Sequence, residues 1–379
     1  MTTERTAHPK ILILTLSHGA AHRRASNALC QTLRTREPGA RVEVIDALAH
    51  CTRWFRAYYN SYEIPLKLWP GLWGWIENIQ HQSQSTGPGW LYWQGAQPLF
   101  RFIQAFDPDT VVATEVGLFE LAHMLKRRTA ARFRLVAVEL MDFNQAWVQP
   151  ETDLYLCSHE DLGAELAEAG APREKILCSG QPLDPAFASL PPREPTRARL
   201  GIEPGVPLLL VLFGGTGFGK PRLLVKELLK IRQPWQAVFI TGRNPRLEAE
   251  VRKLSAGLPR ARVLGWVDYI QEWMVAADLM ISKPGGATLM EGFACGLPLL
   301  AFDPLPGNEQ RTCRWIEKWG AGRWIRKAED LASTVERLLR NPEELDRLRQ
   351  RALALARPRA AYDGADAILK LWRAGQSAS

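Results

Sequence analysis

Long hydrophobic runs are missing from this 379-residue chain. The longest, Ile11 to Leu16 and Leu208 to Phe213, are strand-sized and fall short of the roughly 18 residues that a membrane span needs. No segment is therefore expected to cross a bilayer. The polar start, MTTERTAHPK, has neither the apolar stretch nor the small-residue cleavage site of a secretory signal, so a cytoplasmic location is expected. Cysteine is sparse: Cys30, Cys51, Cys157, Cys178, Cys295 and Cys313 form no C-x-x-C pair. That spacing excludes a zinc ribbon and a disulfide framework, and the six are read as reduced, mostly buried thiols. Low-complexity tracts and short-period repeats are also absent, and 46% hydrophobic with 23% charged residues excludes global disorder.

Tryptophan is what the chain has in excess. Six of its 14 (Trp54, Trp69, Trp73, Trp75, Trp90, Trp93) lie between residues 54 and 93. Aromatic rings with a polar N–H suit a membrane interface, and Arg53, Arg56, Lys67 and Arg101 add cations for anionic head groups. The plainer alternative is that the rings fill a domain core. The net charge of +8 is spread evenly, with 16 basic against 12 acidic residues up to 150 and 32 against 28 after it. By itself it admits nucleic acid, an anionic membrane or an anionic substrate.

Short runs of Val, Ile and Leu alternate with helix-like stretches, the pattern of parallel strands covered on both faces. Strands are expected at 11–16, 42–46, 110–114, 134–139 and 153–157, and again at 208–213, 237–241, 262–264, 278–282 and 298–302. Two such series predict an α/β chain of two Rossmann-like domains. Residues 1–182 form the first, 183–206 a linker made extended by its prolines, and 207–357 the second. The tail from Pro342 reads as helical, with Leu345, Leu348, Ala352 and Leu355 at spacings of three and four.

Three segments carry possible chemistry. S-H-G-A-A-H-R-R-A-S at 17–26 is a small-residue turn, with Gly19, that enters a helix and places His22 in its first turn. F-G-G-T-G-F-G-K at 213–220 offers Gly214, Gly215 and Thr216 to an anion, although Pro221 after Lys220 rules out a P-loop. Either could equally be an ordinary strand-to-helix turn. The segment 263–310 is more specific. After strand 278–282, K-P-G-G-A-T sets Gly285, Gly286, Ala287 and Thr288 at a helix start, suited to a diphosphate. Glu291, one turn on, can accept hydrogen bonds from two ribose hydroxyls. The next strand ends in D-P-L-P-G-N-E-Q, bringing Asn308, Glu309 and Gln310 to the same rim, where they can meet sugar hydroxyls.

These segments resemble glycosyltransferase family 28, and within it the monogalactosyldiacylglycerol synthases and processive diacylglycerol glucosyltransferases. I-T-G-R-N-P-R-L at 240–247 is similar to that subfamily's C-G-K-N-x-x-L element, S-H-G-A-A-H at 17–22 to its S-x-G-x-G-H turn, and L-M-D-F-N-Q-A-W-V-Q-P at 140–150 to its T-D-F-x-x-H-x-x-W-V-H. The resemblance implies a GT-B fold, two Rossmann domains facing a cleft, with a C-terminal helix at about 358–379 crossing back to the first domain. It implies an inverting, metal-independent transfer of galactose or glucose from a UDP-sugar to a diacylglycerol-like lipid. The enzyme would be peripheral on an anionic inner membrane face, with no nucleic-acid partner and no cofactor beyond the donor. His22 becomes the leading base, with Asp142 and then Glu115 behind it. Gly242, Arg243 and Val267 join the donor-binding residues already named. Departures from the pattern are Ala21 for the turn's second glycine, Asn144 or Gln145 and Gln149 for histidines, and Asn308 for glutamine. The altered histidine positions motivate one rival, a nucleotide-sugar-binding membrane sensor or scaffold with lost catalysis; another is a UDP-GlcNAc-using transferase or epimerase of the same fold.

Overall fold

The computed structural model describes residues 8–17, 20–61, 69, 79, 81–141, 143–214, 220–258 and 260–377. The chain divides into two compact units, Met1–Pro185 with Arg357–Ser379, and Ala186–Ala356.

The first unit holds a parallel sheet of β1 (Lys10–Thr15), β2 (Arg41–Asp46), β3 (Thr110–Ala113), β4 (Arg134–Glu139), β5 (Leu154–Cys157) and β6 (Ile176–Leu177), in the order β2-β1-β3-β4-β5-β6. Side chains alternate between its faces along each strand. On one face Leu12, Leu14, Val111 and Leu135 pack against Phe55, Leu99, Phe100, Leu118 and Phe119. On the other, Ile11, Ile13, Val112 and Val136 meet Leu29 and Leu33 of the helix Ala20–Arg36, together with Ile368 and Leu369 of the helix Ala360–Ser377. The C-terminal helix is thus part of the first unit's core.

The second unit repeats the plan with β7 (Leu208–Leu212), β8 (Gln236–Ile240), β9 (Ala261–Leu264), β10 (Leu279–Ser282), β11 (Leu299–Phe302) and β12 (Gly322–Ile325). All are parallel, in the order β12-β11-β10-β7-β8-β9. Leu209, Val211, Phe239, Ile281 and Leu300 meet Leu224, Leu228, Val251, Leu331 and Val335 on one face. Burial of such side chains, about 1.5–3 kcal/mol each, is the main force holding either sheet to its helices.

All ten expected strands are present, with ends shifted by at most one residue. The stretch expected to be an extended linker differs. It contains the helix Arg193–Arg199, with Pro195 in the first turn, where the backbone N–H has no intrahelical partner to lose. Arg193 donates to Ala277 O at 2.6 Å and to Asp278 Oδ1 at 2.6 Å, and Arg197 to Ala276 O at 2.6 Å. These bonds fix the segment onto the second unit.

The six cysteines are free and four are buried. Burial pushes the Cys51 and Cys313 thiols up to about 12, which keeps them protonated and unreactive. Among the described residues no helix is long and apolar enough to cross a membrane.

Candidate active site

In an open α/β sheet a ligand crevice opens at the carboxyl ends of strands where the strand order reverses. In the first sheet the reversal lies between β1 and β3, in the second between β7 and β10. The described candidate residues gather at these two carboxyl edges.

His22 is in the first turn of the helix that follows β1 and is half-buried. Its Nδ1 lies 2.5 Å from Thr114 O, at the end of β3. A carbonyl oxygen can only accept, so Nδ1 carries the hydrogen, and in the neutral ring Nε2 keeps its lone pair. Ser26, one turn further along the same helix face, has Oγ 3.1 Å from Thr114 Oγ1, so two side chains of the helix anchor on one residue. Sequence reasoning missed both anchors, although the His22/Ser26 spacing of four was visible.

Glu115 follows Thr114 but is already committed. It is the N-cap of the helix Val116–Thr129, its Oε2 accepting from Leu118 N at 3.0 Å and from Tyr59 Oη at 2.7 Å. Burial and that carboxylate raise the Tyr59 phenol well above its ordinary value. Asp142, Gly19, Gly215 and Thr216 lie outside the described residues.

The residues that stand in for the family's histidines serve the backbone. Asn144 Oδ1 accepts from Ala146 N at 2.9 Å, and Gln149 Nε2 donates to Ala146 O at 3.1 Å and to Gln84 O at 3.3 Å. Gln145 Nε2 is 3.4 Å from Ala169 O. The same loop is braced at Phe143 as well, since His81 Nδ1 bonds Phe143 O.

At the second edge, glycine is required at two turns, because Gly214 and Gly242 leave β7 and β8 with φ of 73° and 68°. Arg243, next in the chain, lies with its guanidinium 4.1 Å from the centroid of exposed Trp266, just before half-buried Val267. Trp266 Nε1 in turn donates to Asp268 Oδ1 at 3.0 Å. This stack was not foreseen, and W-V-D held no obvious sign of it.

After β10, Gly285 is the N-cap of the helix Gly286–Ala294, and a Cβ built on it meets no described atom within 4 Å. The amides of Gly286, Ala287 and Thr288 are the first of that helix and have no intrahelical acceptor. Glu291, in the second turn, is buried at 4% exposure, and its charge, after burial, helps raise the Cys295 thiol. The third rim element begins the helix Asn308–Trp319. Exposed Asn308 accepts from Arg311 Nη2 at 2.5 Å, Glu309 Oε2 accepts from Leu305 N at 2.6 Å, and Gln310 is half-buried. Glu309 therefore closes its own loop.

The crowded tryptophan segment divides between core and surface. Phe55 and Tyr92 are core residues, and Trp93 lies under Arg128 at 4.5 Å. Trp54, Trp69 and Trp90 are 47%, 60% and 64% exposed. Trp73, Trp75 and Lys67 lie outside the described residues.

Residues 22–183 match the family model for monogalactosyldiacylglycerol (MGDG) synthase, and residues 212–341 that for glycosyl transferases group 1. A processive diacylglycerol beta-glucosyltransferase of Bacillus pumilus is 26% identical over 359 residues, 91% of each chain. Among solved structures, MurG of Acinetobacter baumannii superposes with a TM-score of 0.65 at 15% identity, covering 96% of this chain and 100% of that one. Anabaena Alr3699/HepE, solved in complex with UDP-glucose, gives 0.56 at 16% identity, with 96% and 100% covered. A synthase model over most of the first sheet, a transferase model over most of the second, an alignment along nearly the whole length and the shared GT-B architecture make this chain a glycosyltransferase, similar in its first half to the monogalactosyldiacylglycerol synthases.

Proposed function

We propose that the protein transfers a hexose, galactose or glucose, from a UDP-sugar to the free hydroxyl of a diacylglycerol-like lipid, with inversion, at an anionic membrane surface. The observation that carries this reading is the division of labour between the two matched segments. The synthase-like half holds an imidazole whose Nδ1 bond leaves Nε2 its lone pair at its sheet's reversal point, and the group 1 half lines its own reversal point with amides.

In the reaction the acceptor oxygen attacks the anomeric carbon as the bond from that carbon to the diphosphate oxygen breaks. The hydroxyl proton passes to His22 Nε2, and UDP leaves with the bonding pair. Thr114 O holds the ring in the required tautomer and stabilises the imidazolium that forms. Negative charge growing on the diphosphate is met by the amides of Gly286, Ala287 and Thr288 and by the turn at Gly214, so transfer needs no metal. Glu291 takes the ribose, Arg243 and Val267 border the nucleotide, and Asn308, Glu309 and Gln310 face the sugar. Of the bases considered, His22 is preferred because Glu115 spends its carboxylate on a helix cap and on Tyr59. Exposed Trp54, Trp69 and Trp90 are the described part of the surface that meets the bilayer, where the acceptor resides.

Purified protein incubated with labelled UDP-glucose or UDP-galactose and vesicles of phosphatidylglycerol and diacylglycerol should yield a labelled glycolipid. UDP binding without lipid product from either donor would instead favour the binding-protein reading, and release of free sugar or an epimer would favour the epimerase.

A further inference from the structure

Lys220 is the N-cap of the helix Pro221–Leu228, and Asp303 is the first residue after β11. Their side chains meet, Nζ to Oδ1, at 2.8 Å. In the sheet β7 and β11 are not neighbours, because β10 lies between them. The pair thus links the segments that follow the two strands flanking β10. β10 itself leads into the turn from Lys283 to Gly285, which delivers the first amides of the helix Gly286–Ala294.

Two features set this pair apart from an incidental surface contact. The lysine side chain is 65% exposed while the aspartate is only 22% exposed, so an entering anion has access to the cation. Asp303 also adopts φ 52°, a left-handed conformation that non-glycine residues seldom hold, and does so at the rim of the crevice. An exposed ion pair contributes little to stability by itself, so it breaks cheaply when a stronger partner arrives.

We propose that Lys220 and Asp303 form a strap across the donor-diphosphate site. With the site empty, Asp303 holds Lys220 above the β10 turn. A bound nucleoside diphosphate, with more negative charge than one carboxylate, takes Lys220 from Asp303, and Asp303 competes for it again as UDP departs. Lys220 is then a phosphate-binding residue, and Asp303 a positioning residue that weakens product binding. The inference rests on the reading above that the diphosphate lies at the β10 turn, and it extends that reading to a residue pair with a role in release.

The test measures nucleotide binding alone, without lipid. UDP is titrated by calorimetry into the full chain, and uridine, which lacks the diphosphate, is followed by ligand-observed NMR. Lys220→Met is expected to weaken UDP by about tenfold or more, the scale of one charge-assisted hydrogen bond, and to leave uridine unchanged. Lys220→Arg should keep UDP affinity within about threefold, because the charge remains. Asp303→Asn is expected to tighten UDP by about threefold, and that gain should vanish in the double variant with Lys220→Met. Equal UDP affinity for the wild type and a folded Lys220→Met, or weaker UDP binding by Asp303→Asn, overturns the strap while leaving the donor site in place. Failure of the wild type to bind UDP at all overturns both. A glycolipid assay that fails while these shifts appear removes only the acceptor assignment.

Discussion

The two sheets have the same six-strand parallel plan, yet their carboxyl edges carry opposite chemistry. Around β1 and β3 the edge is built from side chains: His22 and Ser26 on Thr114, and Tyr59 on Glu115. Around β7, β10 and β11 it is built from glycine turns and helix-start amides, bordered by the Lys220–Asp303 ion pair. Side chains can exchange protons, whereas amides present fixed dipoles to an anion without changing protonation. On the proposed function, one fold plan used twice serves once for moving a proton and once for holding charge.

His22→Ala separates the two edges most sharply. Loss of a general base typically costs about a hundred- to ten-thousand-fold in turnover, and UDP affinity should stay unchanged. Radiolabelled transfer assays and UDP calorimetry on the same preparation would check both halves. A variant keeping more than about a third of wild-type turnover would break the contrast and return the base to Asp142 or Glu115. Ser26→Ala, which removes only the second anchor, should lower turnover by a much smaller factor and leave UDP binding unaffected.

Glu291→Ala tests the opposite edge. It should weaken UDP itself by about 1.5–3 kcal/mol, the scale of hydrogen bonds to a charged group. Turnover at saturating donor should change less. Unchanged UDP affinity would make Glu291 a buried structural carboxylate of its helix and would leave ribose recognition to other residues.

Most of the fold was legible because buried parallel strands announce themselves as apolar runs, such as L-L-L-V-L at 208–212 and L-V-A-V at 135–138. The two strands that were not foreseen, β6 and β12, stand at sheet edges. One is two residues long and the other, G-R-W-I, carries an arginine, so neither has an apolar signal. The helix at 193–199 was hidden by the prolines around it, and what holds it is a long-range network onto Asp278 that spacing along the chain cannot reveal. At the site the residue types were readable from motifs, but the assignment of side chains to tasks was not. Glu115 looked like a base after a strand, and Asn144 looked like a lost histidine. Both turn out to satisfy backbone N–H groups.

Glu120 sharpens the picture of the first unit, where carboxylates also hold loops. Buried at 6% exposure, it accepts from Thr86 N at 2.8 Å and Thr86 Oγ1 at 2.6 Å, and also from Ser85 Oγ. Glu120→Ala leaves these donors without their acceptor, which should cost about 1–3 kcal/mol. A melting curve should show the loss as a lower transition temperature, while UDP affinity, assigned above to the other unit, stays unchanged. An unaltered melting temperature would mean that the 85–86 loop finds water in place of the carboxylate.

The smallest expected effect concerns the surface instead of the edges. Among the described residues, the large exposed rings of the first unit belong to the stretch 54–90, namely Trp54, Tyr58, Trp69 and Trp90, whereas the second unit exposes Trp266 and Tyr269 beside the proposed nucleotide rim. If the first set meets a bilayer, Trp54→Ser and Trp90→Ser should each reduce binding to phosphatidylglycerol vesicles by about 1 kcal/mol, roughly fivefold, because each half-exposed ring has only part of its apolar area left to bury. Trp54 meets the core ring Phe55 edge-on at 5.9 Å, so Trp54→Ser should lower melting by a few degrees, whereas Trp90→Ser should keep it within about a degree or two of wild type. Salt should weaken binding in wild type and variants alike, since the cationic contribution of Arg53 and Arg101 is screened separately from the aromatic one. Trp266→Ser serves as the control: it should leave vesicle flotation unchanged and act on the nucleotide side through Arg243. Equal flotation of wild type and the Trp54/Trp90 double variant would make the exposed rings incidental, and a loss caused by Trp266→Ser alone would move the bilayer contact to the second unit.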